Sequence, residues 1–450
     1  MLTEKVKRFK ASPSQILVGG YLIIILIGGI LLYLPFSSKS GDIGFVDAIF
    51  SATSAICVTG LIVKDISRDF SVIGQIIILF LIQIGGLGYM TAGTIISLLI
   101  GKRIGLKERL IMYEGLNMST LEGVVRFIKR IIKITLIIEL VAASIFIIRF
   151  SIDFPLIKAF YLGIFHSVSA FNNAGFSLFS NNLIDYKDDI LINVVVSVLV
   201  ICGGIGFIVY TDLYRYFRKK TLLLSLHTKF TLSLTLALII FGSLFLFLFE
   251  FNNPDTIGGF SFQEKVLSVY FHSVSARTAG FNTINISKMS NVTYYIMMLL
   301  MLIGASPGGT GGGIKTTTFG TIIIALWATM RGQDDVVIFK RRLPQNVIAK
   351  AFLLALLALL LISWISILLL FIENQQFLPT LFEVVSAIGT VGLSIGDGGN
   401  LSFSSIFSDS GKILIVIAMF IGRVGPLTLG SAVIKRYHTK IRYPEEKILI

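Results

Sequence analysis

The chain has 450 residues, 54% of them hydrophobic and only 14% charged, with a formal net charge of +14. A typical soluble domain carries about 25% charged residues, and here the apolar residues also come in long blocks. An ordinary water-soluble enzyme is therefore excluded, and lipid is the expected solvent.

Taken from the N-terminus, a basic start (Lys5, Lys7, Arg8, Lys10) leads into an apolar run without a small-residue cleavage site, read as a retained span with no removable signal. Measured against the ~20 residues a helix needs to cross a bilayer, the apolar runs predict eight spans. They fall at roughly 14–35, 72–100, 131–150, 190–214, 229–251, 292–330 (interrupted), 347–372 and 412–434. Further basic groups follow the spans in pairs: Lys102 to Lys133, Arg215 to Lys229, Arg331 to Lys350 and Lys435 to Lys447. Basic segments beside spans resist translocation, so all these groups and both termini are expected on the cytoplasmic side. Cys57 and Cys202 are too few for a disulfide framework or a zinc site and are read as free thiols.

Four segments are left between the paired spans, and they are copies of one another: Ser51 to Leu61, His166 to Phe176, His272 to Phe281 and Glu383 to Leu393. Each holds a Ser-Ala pair (Ser54, Ser169, Ser275, Ser386) followed by a glycine and an apolar residue. The glycines, Gly60, Gly175, Gly280 and Gly392, recur at intervals of 115, 105 and 112 residues, in phase with the spans. The pattern predicts a short helix that stops partway and returns as an extended strand, a backbone tolerated at membrane depth only where it lines water or is buried in protein. Glycine permits the φ > 0 conformations that turn carbonyls toward an axis. Four such strands would replace a cation's hydration shell, as in potassium filters, while the helix C-termini favour positive charge.

On these motifs the chain resembles the Trk/Ktr/HKT superfamily of potassium transporters, in its eight-span Ktr form, along essentially its whole length. The resemblance implies an all-α polytopic membrane protein of the bacterial plasma membrane, with four M1-P-M2 repeats in pseudo-fourfold symmetry around one pore. The repeats are residues 14–110, 111–228, 229–345 and 346–434, between a cytoplasmic N-terminus (1–13) and a C-terminal tail (435–450). It implies a potassium-binding filter of backbone carbonyls at Val58, Thr59 and Gly60; Asn173, Ala174 and Gly175; Thr278, Ala279 and Gly280; and Thr390, Val391 and Gly392. In plant relatives a serine replacing the first glycine accompanies sodium preference. Gly60 therefore favours potassium.

The third copy is one residue shorter and carries Arg277 just before the filter. A cation facing the pore would repel potassium, so Arg277 is expected behind the filter as a brace, with Glu383 as its candidate partner, because buried charges are normally paired. His166 and His272 occupy equivalent positions and are read as hydrogen-bonding neighbouring helices, with no metal set converging on them.

Residues 304–316 interrupt the sixth span. Pro307 and the glycines after it forbid a continuous helix, and a phosphate-binding Walker loop fails because Ile314 separates Gly313 from Lys315. By resemblance this is an intramembrane gate beneath the filter, built from Gly308, Gly309, Gly311, Gly312, Gly313 and Lys315. Arg423, deep in the last span, where an unpartnered charge costs about 3 kcal/mol, would face it as a barrier to cations.

The implied function is channel-like potassium uptake without enzymatic activity, sodium-stimulated, with K+ as substrate, Na+ as a further ion and no organic cofactor. The implied partners are a second copy in a homodimer, membrane lipids, and a cytosolic RCK regulatory ring of the KtrA or KtrC type that binds ATP or ADP; nucleic acid is not expected. Two alternatives remain open: a Na+/K+ transporter of the same fold, and the potassium-translocating subunit of a P-type ATPase complex.

Overall fold

The computed structural model describes residues 12–39, 41–88, 91, 124–219, 223–396 and 400–433. The N-terminal basic group, the basic residues from Lys102 to Arg109, Lys220 and the tail at 435–450 lie outside them. The described chain is mostly helical, in the order α1 (Pro13–Tyr33), α2 (Phe45–Ile56), α3 (Val72–Leu87), α4 (Val124–Phe150), α5 (Leu156–Phe171), α6 (Ile190–Gly204), α7 (Phe207–Phe217), α8 (Leu226–Glu250), α9 (Phe262–Ser275), α10 (Asn291–Leu302), α11 (Thr316–Met330), β1 (Val337–Ile338), β2 (Arg341–Arg342), α12 (Gln345–Glu373), α13 (Phe377–Gly389), α14 (Asp409–Val424) and α15 (Pro426–Val433).

Helix starts are written locally. Ser12, Ser71, Ser225, Ser261, Ser290 and Ser408 each accept a hydrogen bond from the backbone N–H three residues on, satisfying a donor the helix itself cannot. Gln15 and Glu264 close two of these into reciprocal capping boxes. Between α11 and α12 a two-residue turn at Phe339 and Lys340, both at positive φ, joins β1 to β2 as a small hairpin.

Four helices, α1, α4, α8 and α12, are long and apolar enough to cross a membrane, and two bent pairs raise this to six. Those pairs correct the sequence reading, which had only the sixth span interrupted. The expected span at 190–214 is broken between α6 and α7 by 95°, and that at 412–434 between α14 and α15 by 96°. The cause is a glycine at positive φ, Gly206 at 92° and Gly425 at 87°, the latter followed by Pro426, which fits the first turn of a new helix. Helix α3 ends at Gly88, φ 80°, in the same way; residues 92–100 of that expected span lie outside the described residues. The aligned tetrads are Gly85-Gly86-Leu87-Gly88, Gly203-Gly204-Ile205-Gly206, Gly304-Ala305-Ser306-Pro307 and Gly422-Arg423-Val424-Gly425.

The short helices α2, α5, α9 and α13 form the centre and are flanked by the long ones. Each is packed against the long helix before it (α1, α4, α8, α12). The helix following each glycine segment then rests on the next short helix: α3 on α5, α6 on α9, α10 on α13, and α14 back on α2. The packing order thus closes on itself. Its core includes fully buried Phe50, Phe165, Phe171, Phe271 and Phe382 from all four short helices. Glycine allows the close approach. A Cβ at Gly85, Gly203 or Gly422 would run into the carbonyl of Ile56, Phe171 or Ile388, the last turn of the short helix in the same copy.

Candidate functional site

The four short helices end at the centre, and the strands leaving them share one backbone pattern. Val58, Asn173, Thr278 and Thr390 have φ of 56°, 58°, 81° and 50°; Gly60, Gly175, Gly280 and Gly392 have φ of 93°, 70°, 76° and 91°. The residue between, Thr59, Ala174, Ala279 or Val391, is fully buried. Alternating handedness turns successive carbonyls to one side of the strand, where an ordinary strand would alternate them. For a non-glycine residue each left-handed conformation costs of order 1–3 kcal/mol and persists only when the surroundings hold it.

The surroundings here include a serine. In every copy the serine of the Ser-Ala pair accepts the N–H of the middle strand residue: Thr59 N to Ser54 O at 2.8 Å, Ala174 N to Ser169 O at 2.8 Å, Ala279 N to Ser275 O at 2.9 Å and Val391 N to Ser386 O at 2.9 Å. The hydroxyls add a second tie. Ser54 and Ser386 accept the glycine N–H at 3.1 and 3.0 Å, while Ser169 and Ser275 donate to the carbonyl after the glycine, Phe176 O at 2.7 Å and Phe281 O at 2.5 Å. Sequence reasoning recognised these serines as a repeat but gave them no role; their presence in all four copies was the available signal.

The strands also meet one another. A Cβ on Gly60 would strike Ala174 O, on Gly175 Ala279 O, on Gly280 Val391 O and on Gly392 Thr59 O, each at under 3.0 Å. The contacts run through the copies in order and return to the first. The four glycines and the four middle residues, eight of the twelve expected at the filter, are thereby gathered around one centre, with the middle carbonyl of each copy facing the glycine of the copy before it.

On one side of this ring a cavity of about 100 Å³ is lined by all four glycines together with Asn and Ser side chains, including Asn182, Asn282 and Ser402. On the other side a larger cavity of about 340 Å³ is lined by Gly308, Gly309, Gly311, Gly313, Lys315 and Arg423, with apolar walls from α1 and α12. The loop between α10 and α11 lies between ring and larger cavity. Its ends are zipped, Gly304 N to Ile314 O at 2.8 Å, and its middle is docked on the α6–α7 break, Ser306 N to Gly204 O at 2.9 Å and Thr310 N to Gly203 O at 3.0 Å. Gly312 N donates to Thr390 Oγ1 at 3.0 Å, and a Cβ on Gly311 would collide with Thr278 Oγ1, so the loop abuts the inner residues of two strands.

Two cations hold the loop. Lys315 Nζ donates to Gly311 O at 2.8 Å. Arg423 donates to Thr310 O and to Gly85 O, joining the loop to the end of α3, with Gly86 O at 3.5 Å. Neither forms a salt bridge among the described residues. Both positive charges therefore act on backbone carbonyls beside the larger cavity. Lys315, Arg423 and the loop lie together, while their acceptors, contributed by α3 and the loop itself, were not legible in the sequence.

Arg277 and Glu383 do not pair. Glu383 is fully buried and accepts from Ser394 Oγ at 2.6 Å, Ser404 N at 2.9 Å and the Ser404 hydroxyl, so its oxygens are occupied by the chain that follows the fourth strand. Arg277, 8% exposed, donates through Nη1 to Thr235 O at 3.4 Å on α8, and its Nε has no hydrogen-bond partner. The expected pair is corrected because each group found its neighbours on its own side of the ring. The histidines are corrected likewise. His166 Nδ1 lies 2.8 Å from Leu162 O and His272 Nδ1 2.8 Å from Ser268 O, both within their own helices, while Nε2 faces Ser177 Oγ and Thr283 N in the loops after the glycines. No group of three or more His, Cys, Asp or Glu fit to hold a metal occurs among the described residues.

Comparison with known proteins matches the family model described as TrkH, cation transport protein, over residues 5–437. The chain is 40% identical over 443 residues to the Ktr system potassium uptake protein B of Bacillus subtilis, covering 98% of both chains. It is 36% identical to the potassium/sodium uptake protein NtpJ of Enterococcus hirae, covering 100% of this chain and 99% of that one. The crystal structure of the potassium transporter TrkH from Vibrio parahaemolyticus shares the fold, with a TM-score of 0.73 at 19% identity, over 95% of this chain and 86% of that one. The repeated glycine segments, the helices suited to lipid and these matches lead to one assignment: the chain is a membrane protein of the TrkH family of cation transporters.

Proposed function

We propose that the chain is the ion-translocating subunit of a Ktr-type potassium uptake system. The observation that carries this reading is the closed sequence of glycine-to-carbonyl contacts from Gly60 through Gly175, Gly280 and Gly392 back to Thr59, in strands whose carbonyls turn one way. Such carbonyls take the place of water around a dehydrated potassium ion. In this reading eight spans form four repeats in pseudo-fourfold arrangement around one pore, with both termini and the larger cavity on the cytoplasmic side. Ions move down their electrochemical gradient through the ring, and the loop at 304–316 is the gate. Arg423 and Lys315 hold it shut and oppose cations electrostatically. Glu383 braces the fourth strand through Ser394, and Arg277 sits behind the third.

The likeness to potassium uptake proteins of Ktr systems supports a Ktr system with a separate regulatory part. We extend this to a homodimer bound to a cytosolic RCK ring that senses ATP or ADP and releases the loop, with sodium as a stimulating ion. A second reading, transport of both sodium and potassium, is favoured by the likeness to the potassium/sodium uptake protein. The deciding experiment is rubidium uptake into proteoliposomes, with and without an RCK subunit and ATP, in competition with sodium. Rubidium uptake that resists excess sodium and rises with the RCK subunit supports the first reading. Equal competition by sodium selects the second, and uptake indifferent to the RCK subunit removes the proposed partner.

A further inference from the structure

The chain turns by 95° between α6 and α7, so α7 runs across the direction of the helix before it. It is also fastened beside the start of α8, a helix long enough to cross a membrane: Ser225 N, at the cap of α8, donates to Asp212 Oδ2 at 2.9 Å. A helix that leaves one span near a right angle and is tied to the end of the next lies along the boundary of the lipid. In the proposed topology that boundary is the cytoplasmic one.

The far end of α7 has the composition of such a boundary. Tyr214, Arg215, Tyr216, Phe217, Arg218 and Lys219 are all exposed, and no carboxylate stands among them. Tyr214 and Phe217, at i and i+3, share a side of the helix, and Phe217 is 77% exposed. Arg218, the C-terminal cap, lies over the Tyr214 ring at 5.6 Å. None of the three basic residues forms a salt bridge among the described residues, and Asp212, the one carboxylate of the helix, is occupied by Ser225 N. Aromatic rings at headgroup depth beside cations outside any salt bridge suit an anionic lipid surface.

The near end of α7 carries the loop at 304–316. Phe207 N donates to Gly308 O at 3.0 Å, while Ser306 N and Thr310 N bond Gly204 O and Gly203 O just before the bend. A Cβ on Gly206, between them, would collide with Pro307 O. Helix α7 cannot swing without disturbing this seat. We propose that α7 docks on the anionic phospholipid headgroups of the bilayer through Arg215, Arg218 and Lys219, with Tyr214 and Phe217 in the boundary layer, and that this docking keeps the loop seated. The coupling rests on that loop being the gate. Lipid charge then sets how readily ions pass before any regulatory partner acts.

The test uses the full chain in vesicles of phosphatidylcholine alone or with roughly one-third phosphatidylglycerol, without a regulatory subunit. An environment-sensitive fluorophore on Phe217→Cys, with Cys202→Ser and Cys57 fully buried, is expected to emit further to the blue in the anionic vesicles. Rubidium uptake by the parent is expected to be about fivefold slower there, the scale of one basic residue's attraction to such a surface. Arg215→Gln with Arg218→Gln is expected to remove most of both differences, and Arg215→Lys with Arg218→Lys to keep them. Equal emission in the two vesicles overturns the docking, equal uptake overturns the coupling, and undiminished differences in the glutamine variant overturn the role of the arginines. Emission that an RCK subunit shifts and anionic lipid does not would assign the surface to a protein and overturn the proposal. Arg423→Ala separates this from the gate reading: unchanged uptake there rejects the gate and with it the coupling, leaving emission to decide the docking, whereas raised uptake there with a parent indifferent to lipid charge rejects only the role of α7.

Discussion

Two glycine-rich regions lie a few residues apart at the centre of the molecule, and they use glycine for opposite ends. In the ring, each glycine is at positive φ and pressed against the carbonyl of the next copy, while a serine of its own copy ties the strand from behind. Backbone meets backbone in a closed circuit, so no member moves without its neighbours. Among the described residues the loop at 304–316 has no counterpart in the other copies. Beyond the zip at its ends, its bonds to Gly203 and Gly204 and the Phe207 N–H on Gly308 O, it is held by side chains: Arg423, Lys315 and Thr390. Glycine there lets backbone pass close to Thr278 and Thr390, but the ties can be withdrawn one at a time. A circuit suits discrimination between ions of similar size, and removable ties suit a gate.

The largest expected effect breaks the circuit. Gly392→Ala adds a Cβ against Thr59 O at a residue with φ 91°, and positive-φ strain alone costs of order 1–3 kcal/mol. Discrimination between potassium and sodium is expected to fall at least about tenfold, read as inhibition of rubidium uptake by sodium. Retained discrimination would show that the ring does not select. An intermediate effect loosens the loop. Arg423→Ala removes charge-assisted hydrogen bonds worth about 1.5–3 kcal/mol each, and uptake without a regulatory partner is expected to rise about tenfold or more, with selectivity unchanged. Unaltered flux would dismiss the loop as a gate. The smallest sharpens the boundary between the two regions. Thr390→Val deletes the acceptor of Gly312 N–H while keeping shape, a neutral bond of about 1 kcal/mol. A rise in basal uptake of about twofold to fivefold with little change in sodium inhibition is expected; lost selectivity instead would mean that the loop supports the ring.

Much of the molecule was legible because its signals are local. Blocks of apolar residues mark helices in lipid, a left-handed strand asks for glycine, and four in-phase copies of one segment require four equivalent strands. Proline followed by glycines likewise rules out a continuous helix wherever it lies in the fold, and here α10 ends at Leu302, before Pro307. The bends at Gly206 and Gly425 carried a readable signal too, the tetrad shared with Gly304 to Pro307, but continuous hydropathy across it masked the break. What the tertiary structure alone decided is which polar group meets which. Glu383 found Ser394 and Ser404 instead of Arg277, Arg423 found carbonyls on α3 and the loop, and Asn182 came to lie over the third strand. Hydropathy and backbone conformation are properties of a few consecutive residues, whereas a buried donor takes whichever acceptor the closed packing of all four copies brings within about 3 Å, and that proximity is written nowhere in the neighbouring sequence.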